Sequence, residues 1–138
     1  WQARLARGLS GRAMAGVAVI VAGMGCSTRA RLPELRALLA HVTAGRRPDA
    51  IACPEARAAQ IRPLADSLNL PLVTVSRAAL RGVQTPGHSA RIKATFGTGC
   101  VAEACALLVA GRGARIIAAR QISEVRQATC ALAQGEGQ

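Results

Sequence analysis

The chain has 138 residues, the size of one ordinary domain, and 51% of them are hydrophobic, enough to form a single core. Trp1 and Phe96 are its only aromatic residues, so that core must be aliphatic, and the base-stacking platform of a single-strand nucleic-acid binder is missing. The formal charge is +11 and all but Lys93 of the 18 basic residues are arginine, a field that attracts polyanions.

Arg4, Arg7 and Arg12 precede the apolar run Ala13–Met24 and Cys26, a pattern that resembles a secretory signal. Gly23 stands where a lipoprotein signal would carry Leu, and the run is too short to cross a membrane, so it is read as the first strand of a cytoplasmic protein. Residues 1–13 are read as an N-terminal extension before Met14, and 14–138 as one domain.

Val17–Ala22 is an unbroken, largely β-branched run, the mark of an interior strand covered on both faces. A turn is expected at Gly23–Thr28. Leu32, Leu35, Leu38, Leu39 and Val42 then recur at helical spacing up to Gly45 and Pro48. Asp49–Cys53 reads as a second strand. A helix opens at Pro54 and Glu55, with a kink or restart expected at Pro63 and a left-handed end at Asn69. Leu72–Val75 reads as the third strand, and Ser76 as the cap of a short helix. A loop rich in turn formers follows, Gly82–Ser89. A second glycine turn, Phe96-Gly97-Thr98-Gly99, opens a helix reaching about Val109, which Gly111 and Gly113 stop. Arg115–Ala119 and Ala128–Ala133 read as the last strands, with Gln134–Gln138 frayed. The alternation predicts a three-layer α/β/α sandwich on a mostly parallel, mixed sheet, with room for an antiparallel edge.

The two glycine turns are the first candidates for chemistry. Gly23, Gly25, Cys26, Thr28 and Arg29 in one, and Gly97, Thr98 and Gly99 in the other, would offer backbone N–H groups at helix starts to an anion in one crevice. Neither turn is a Walker A loop or a complete dinucleotide fingerprint. Thr85, Ser89, Arg91 and Lys93 lead toward the second turn with hydroxyls and charge, a set suited to a multi-carboxylate ligand. Catalytic candidates are Glu103, which is also a ligand-binding candidate and alternatively favours its own helix start, and Cys26 and Cys100, placed at helix starts where thiol pKa tends to fall. His41 reads as packed or surface-exposed and His88 as solvated. The five cysteines form no CxxC and fit a reducing compartment; no metal site and no cofactor is expected.

The same segments carry a family resemblance. Gly23-Met24-Gly25-Cys26 resembles the GIGC opening of CobE and of the CbiG C-terminal domain. Leu64–Leu72 resembles their LAxxLGLPL, Phe96–Ala104 their GTGSVAEAA, and Ala128–Ala133 their ATxAIA. Cys100 stands in place of Ser and Asn69 in place of Gly, while Glu55–Gln60 lacks the family's charged residues. The likeness spans Val17 to Ala133 and implies a role among corrin-ring intermediates of cobalamin biosynthesis. CbiG proteins open a lactone on a cobalt-precorrin; a free-standing domain would correspond to CobE. The expectation is a binding or accessory protein that holds or hands over a precorrin or other corrinoid intermediate, among other enzymes of the pathway. A hydrolase or rearrangement catalyst on the same ring is the alternative. No nucleic-acid or membrane partner is expected.

Overall fold

A computed structural model of the chain describes residues 18–85 and 100–137. Five strands, β1 (Val19–Cys26), β2 (Ala50–Pro54), β3 (Leu72–Val75), β4 (Arg115–Ile122) and β5 (Ala128–Gly135), form one sheet in the order β3-β2-β1-β5-β4 among the described residues. β1, β2 and β3 run parallel, whereas β5 pairs antiparallel with both β1 and β4. Half of the sheet is thus parallel and half antiparallel, and the fold is the expected α/β sandwich.

Helices α1 (Leu32–Thr43) and α2 (Ala58–Leu68) cover one face, and α3 (Arg77–Leu80) and α4 (Val101–Ala110) the other. β1 shows why its sequence is apolar throughout. Val19 and Val21 pack with α4, while Ala22 and Met24 pack with α1 and α2, so neither side meets water. Leu35, Leu38, Leu39 and Val42 form the buried stripe of α1, each side chain contributing about 1.5–3 kcal/mol by leaving water. Asp49 fastens the start of β2 to β1. Its backbone N–H donates to Ile20 O at 2.7 Å, and its Oδ2 accepts from Ile20 N at 2.9 Å.

Several expectations need correction. β1 does not stop at Ala22; it continues through Gly23–Cys26, which pair with Ala131–Ala128 of β5. The turn therefore starts at Ser27. Gly23 serves packing there, because a Cβ on it would lie 2.0 Å from Ala102 O and 2.9 Å from Ala106 Cβ. Gly135 does the same beside Ala110 at the far end of α4, 2.4 Å from its carbonyl oxygen. Ala102, Ala106 and Ala110, spaced four apart, form the ridge of α4 that these two glycines admit. The chain restarts earlier than Pro63, at a 3-10 turn over Glu55–Arg57, and α2 is continuous through Pro63. The C-terminal segment is held as far as it is described. Gly135 ends β5, Glu136 N donates to Arg112 O at 2.9 Å and Gly137 N to Ala110 O at 2.7 Å.

Two local features match. Asn69 caps α2 at φ 56°, ψ 43°, a conformation Asn tolerates. Ser76 Oγ accepts from Ala79 N at 3.1 Å and caps α3. No helix among the described residues is long and apolar enough to cross a membrane.

Candidate functional site

The carboxyl ends of parallel strands β1, β2 and β3 meet the start of β5 and the first turn of α4 around one cavity of about 860 Å³. This is the crevice where open α/β sheets place ligands, and its volume lies in the range of small-molecule sites, roughly 300–1,000 Å³. Gly25 and Cys26 line it from β1, Pro54 from β2, Val75 from β3, Cys100 and Val101 from the cap and first residue of α4, Gln127 from the turn before β5, and Ala128 and Thr129 from β5. Glu55 is its one acid among the described residues. Arg57, Arg77, Arg120 and Arg126 are its four arginines, so one wall set is strongly cationic.

Hydrogen bonds fix the rim. Arg57 Nε donates to Cys26 O at 2.8 Å, which closes the end of β1 and holds the guanidinium half-buried at the mouth. Gln60 Nε2 donates to Ser27 O at 2.8 Å. Ser27 N donates to Gln127 O at 2.8 Å, and Ser27 Oγ donates to Gln127 Oε1. Behind Gln127, the buried Ser123 hydroxyl donates to Glu34 Oε2 at 2.5 Å and accepts from Gln127 N and Ala128 N, each at 3.1 Å. Arg126, at φ 60°, turns the chain between them. No buried side-chain N or O atom among the described residues lacks a partner, so a ligand must be met by the half-buried and exposed groups of the rim.

The expected site residues divide into groups. Gly25, Cys26 and Cys100 line the cavity, and Val101 packs 3.8 Å from the position of a Cβ on Gly25. Gly25 and Cys26 at the end of β1 and Cys100 and Val101 at the start of α4 thus line the same crevice. Gly23 is covered by α4, and Thr28 and Arg29 are exposed outside the cavity lining. Thr85 is half-buried and not among the lining residues. Ser89, Arg91, Lys93, Gly97, Thr98 and Gly99 lie outside the described residues, as does His88. His41 is exposed in the last turn of α1.

The thiols run against the expectation of low pKa at helix starts. Burial pushes the Cys26 thiol up, with Arg57 pulling the other way and Glu34 adding to the rise. Burial also raises Cys100, against which the backbone N–H of Glu103 works. Burial pushes both Cys53 and Cys130 up to about 12. Glu103 is fully buried, and its Oε2 accepts from the Arg120 backbone N–H at 3.1 Å, linking α4 to β4 rather than only to its own helix start. No group of three or more His, Cys, Asp or Glu side chains among the described residues is placed to hold a metal ion.

Arg57, Arg77, Arg120 and Arg126 escaped the sequence reading. They are scattered singly along an arginine-rich chain, and only the position of Arg57, three residues after Pro54 at the end of a strand, signalled a place at the crevice.

The family described as cobalamin synthesis G C-terminus matches residues 20–133. Similar solved structures include CobE, a protein of the cobalamin biosynthetic pathway, at 29% identity and a TM-score of 0.73, covering 85% of this chain and 90% of that one. A second is the cobalamin biosynthesis protein chiG of Agrobacterium tumefaciens, at 30% identity and 0.66, covering 85% and 98%. A third, a cobalamin biosynthesis protein G homologue of Sulfolobus solfataricus, shares the fold at 23% identity and 0.65; the match covers 86% of this chain but 37% of that longer one. Comparison with curated protein sequences gives no match.

Proposed function

From the premise that the chain belongs to the cobalamin synthesis G C-terminal family, and so to cobalamin biosynthesis, we propose that its strand-end crevice holds a precorrin or related corrinoid intermediate and passes it on unchanged. The observation that carries this reading is the set of Arg57, Arg77, Arg120 and Arg126 around one cavity with Glu55 as the single opposing acid among the described residues. Corrin-ring intermediates bear many carboxylates on a broad apolar ring. Arginine forks suit the carboxylates, with geometry that a lysine would not supply. Gly25, Val75, Leu80 and Val101 give the cavity an apolar surface for the ring.

Retention rather than conversion is supported by the state of the candidate catalytic groups. The Cys26 and Cys100 thiols are held protonated by burial, and the buried Glu103 carboxylate accepts the Arg120 backbone N–H. Gel filtration of the protein with each of a panel of precorrins, followed by mass spectrometry of the released pigment, tests the reading. One precorrin is expected to coelute and to return with its mass and its absorption spectrum unchanged. A pigment returned altered would make the domain an enzyme on the same ring, and coelution of none would sink the proposal.

A further inference from the structure

β4 carries two register irregularities, and the second, between Ala118 and Gln121, decides the face of Arg120. Ala118 lies opposite Leu132 and Gln121 lies opposite Cys130, so Ala119 and Arg120 together face the single residue Ala131. In a regular strand Arg120 would share the face of Ala118, which packs with the α1 and α2 core. One extra residue reverses that outcome. Gln121 takes the α1 and α2 side with Cys130, and Arg120 is turned to the side of Cys100 and Val101, where it lines the cavity half-buried. At that residue the fully buried Glu103 carboxylate, one turn into α4, accepts the Arg120 backbone N–H at 3.1 Å.

We infer that Glu103 is a positioning residue that locks this bulge, and that Arg120 so presented is the specificity-determining contact for a ligand carboxylate in the crevice. The chemistry is consistent at each step. A buried carboxylate is costly unless its lone pairs are used, and a backbone N–H displaced by a bulge needs an acceptor. The Glu103–Arg120 bond serves both needs, and it joins the helix that forms the cavity wall to the strand that supplies the cation. An arginine on an unpinned bulge would sample both faces of the sheet; pinned, its guanidinium is preorganised for a planar anion. The inference deepens the reading of the crevice as an anionic-ligand site and rests on it.

The test uses mellitate, a rigid benzene polycarboxylate, and uroporphyrin, a polycarboxylate macrocycle, as probes of the intact chain. Arg120→Gln and Glu103→Ala are each expected to weaken mellitate binding roughly tenfold, the scale of one charge-assisted contact. The double variant is expected to be no weaker than either single one, since both remove the same contact. Glu103→Gln, which keeps an acceptor for the Arg120 N–H, is expected to restore most of the loss. Additive losses in the double variant would show a general structural role for Glu103 and overturn the inference, as would wild-type affinity in Arg120→Gln or no mellitate binding by the wild type. Should Glu103→Ala fail to fold, Arg120→Gln still decides the ligand contact, and Glu103→Leu, which fills the buried space without an acceptor, takes the place of Glu103→Ala with the same expected loss. Mellitate recognition through Arg120 without any uroporphyrin binding would leave this assignment standing and remove the ring reading. Uroporphyrin binding that is equal in all variants would do the reverse.

Discussion

Gly23 of β1 and Ala102 of α4 meet backbone to backbone: a Cβ on the glycine would sit 2.0 Å from the helix carbonyl oxygen. That approach sets α4 against the sheet and brings Val101 over Gly25 at the cavity. The obstacle is main chain, which cannot swing aside as a flexible side chain would.

Gly23→Ala is therefore expected to cost at least the 1–3 kcal/mol typical of overpacking, and Gly23→Val more. Gly45→Ala is the control. Its φ of +84° strains any Cβ by about 1 kcal/mol, but nothing lies within 4 Å. Urea denaturation of the two alanine variants checks the order, and a Gly23→Ala protein as stable as Gly45→Ala would refute the close approach.

Ser123 lies 89 residues from Glu34 in sequence and bonds to it, while accepting the backbone N–H groups of Gln127 at the end of the turn and Ala128 at the start of β5. Ser123→Ala leaves those donors and the Glu34 carboxylate oxygen without this partner. A loss of about 1–3 kcal/mol is expected. Because Gln127 and Ala128 line the cavity, hydrogen exchange at their amides is expected to rise by more than in α2.

The fold was legible where one face decides everything. The apolar run of β1, the stripe of α1 and the left-handed Asn69 all follow from local chemistry, and the family motifs pointed to cobalamin biosynthesis. Gly23–Cys26 misled because a glycine that admits a helix looks, in sequence, like a glycine that makes a turn. The cationic wall was hidden for a different reason. Which face Arg120 occupies depends on a bulge opposite Ala131 and on a carboxylate 17 residues away, and neither leaves a mark in the adjoining sequence.

Buried thiols make stability depend on alkaline pH. Burial raises Cys53 and Cys130 from the ordinary 9.0 up to about 12 in the folded chain, so the unfolded chain loses these protons first. Their contribution is fully present below about pH 9 and is lost as pH rises from there toward 12. Denaturation midpoints are expected to fall between pH 9 and pH 11, and to fall less in Cys53→Ala/Cys130→Ala. A disulfide-exchange reagent at pH 7 is expected to label half-buried Cys26 before the four buried thiols. Rapid labelling of Cys100 at neutral pH would contradict the protonated state assigned to it.

Arg57 has two duties, closing β1 through Cys26 O and lending charge to the cavity mouth. Arg57→Lys keeps the charge and gives up the fork geometry. It is expected to retain the fold in a thermal melt while weakening carboxylate ligands several-fold, and to show a shallower loss of affinity than Arg57→Ala. Equal affinities in wild type, Arg57→Lys and Arg57→Ala would remove Arg57 from the site.

The cationic crevice is where the pigment is expected to sit. The decisive measurement is an absorbance titration of the coeluting precorrin against wild type and Arg57→Gln/Arg120→Gln, both shown folded by circular dichroism. With each lost contact to a charged group contributing about 1.5–3 kcal/mol, the double variant is expected to bind at least one hundred-fold more weakly. Wild-type affinity in that variant would contradict the account and move the ligand to another part of the domain.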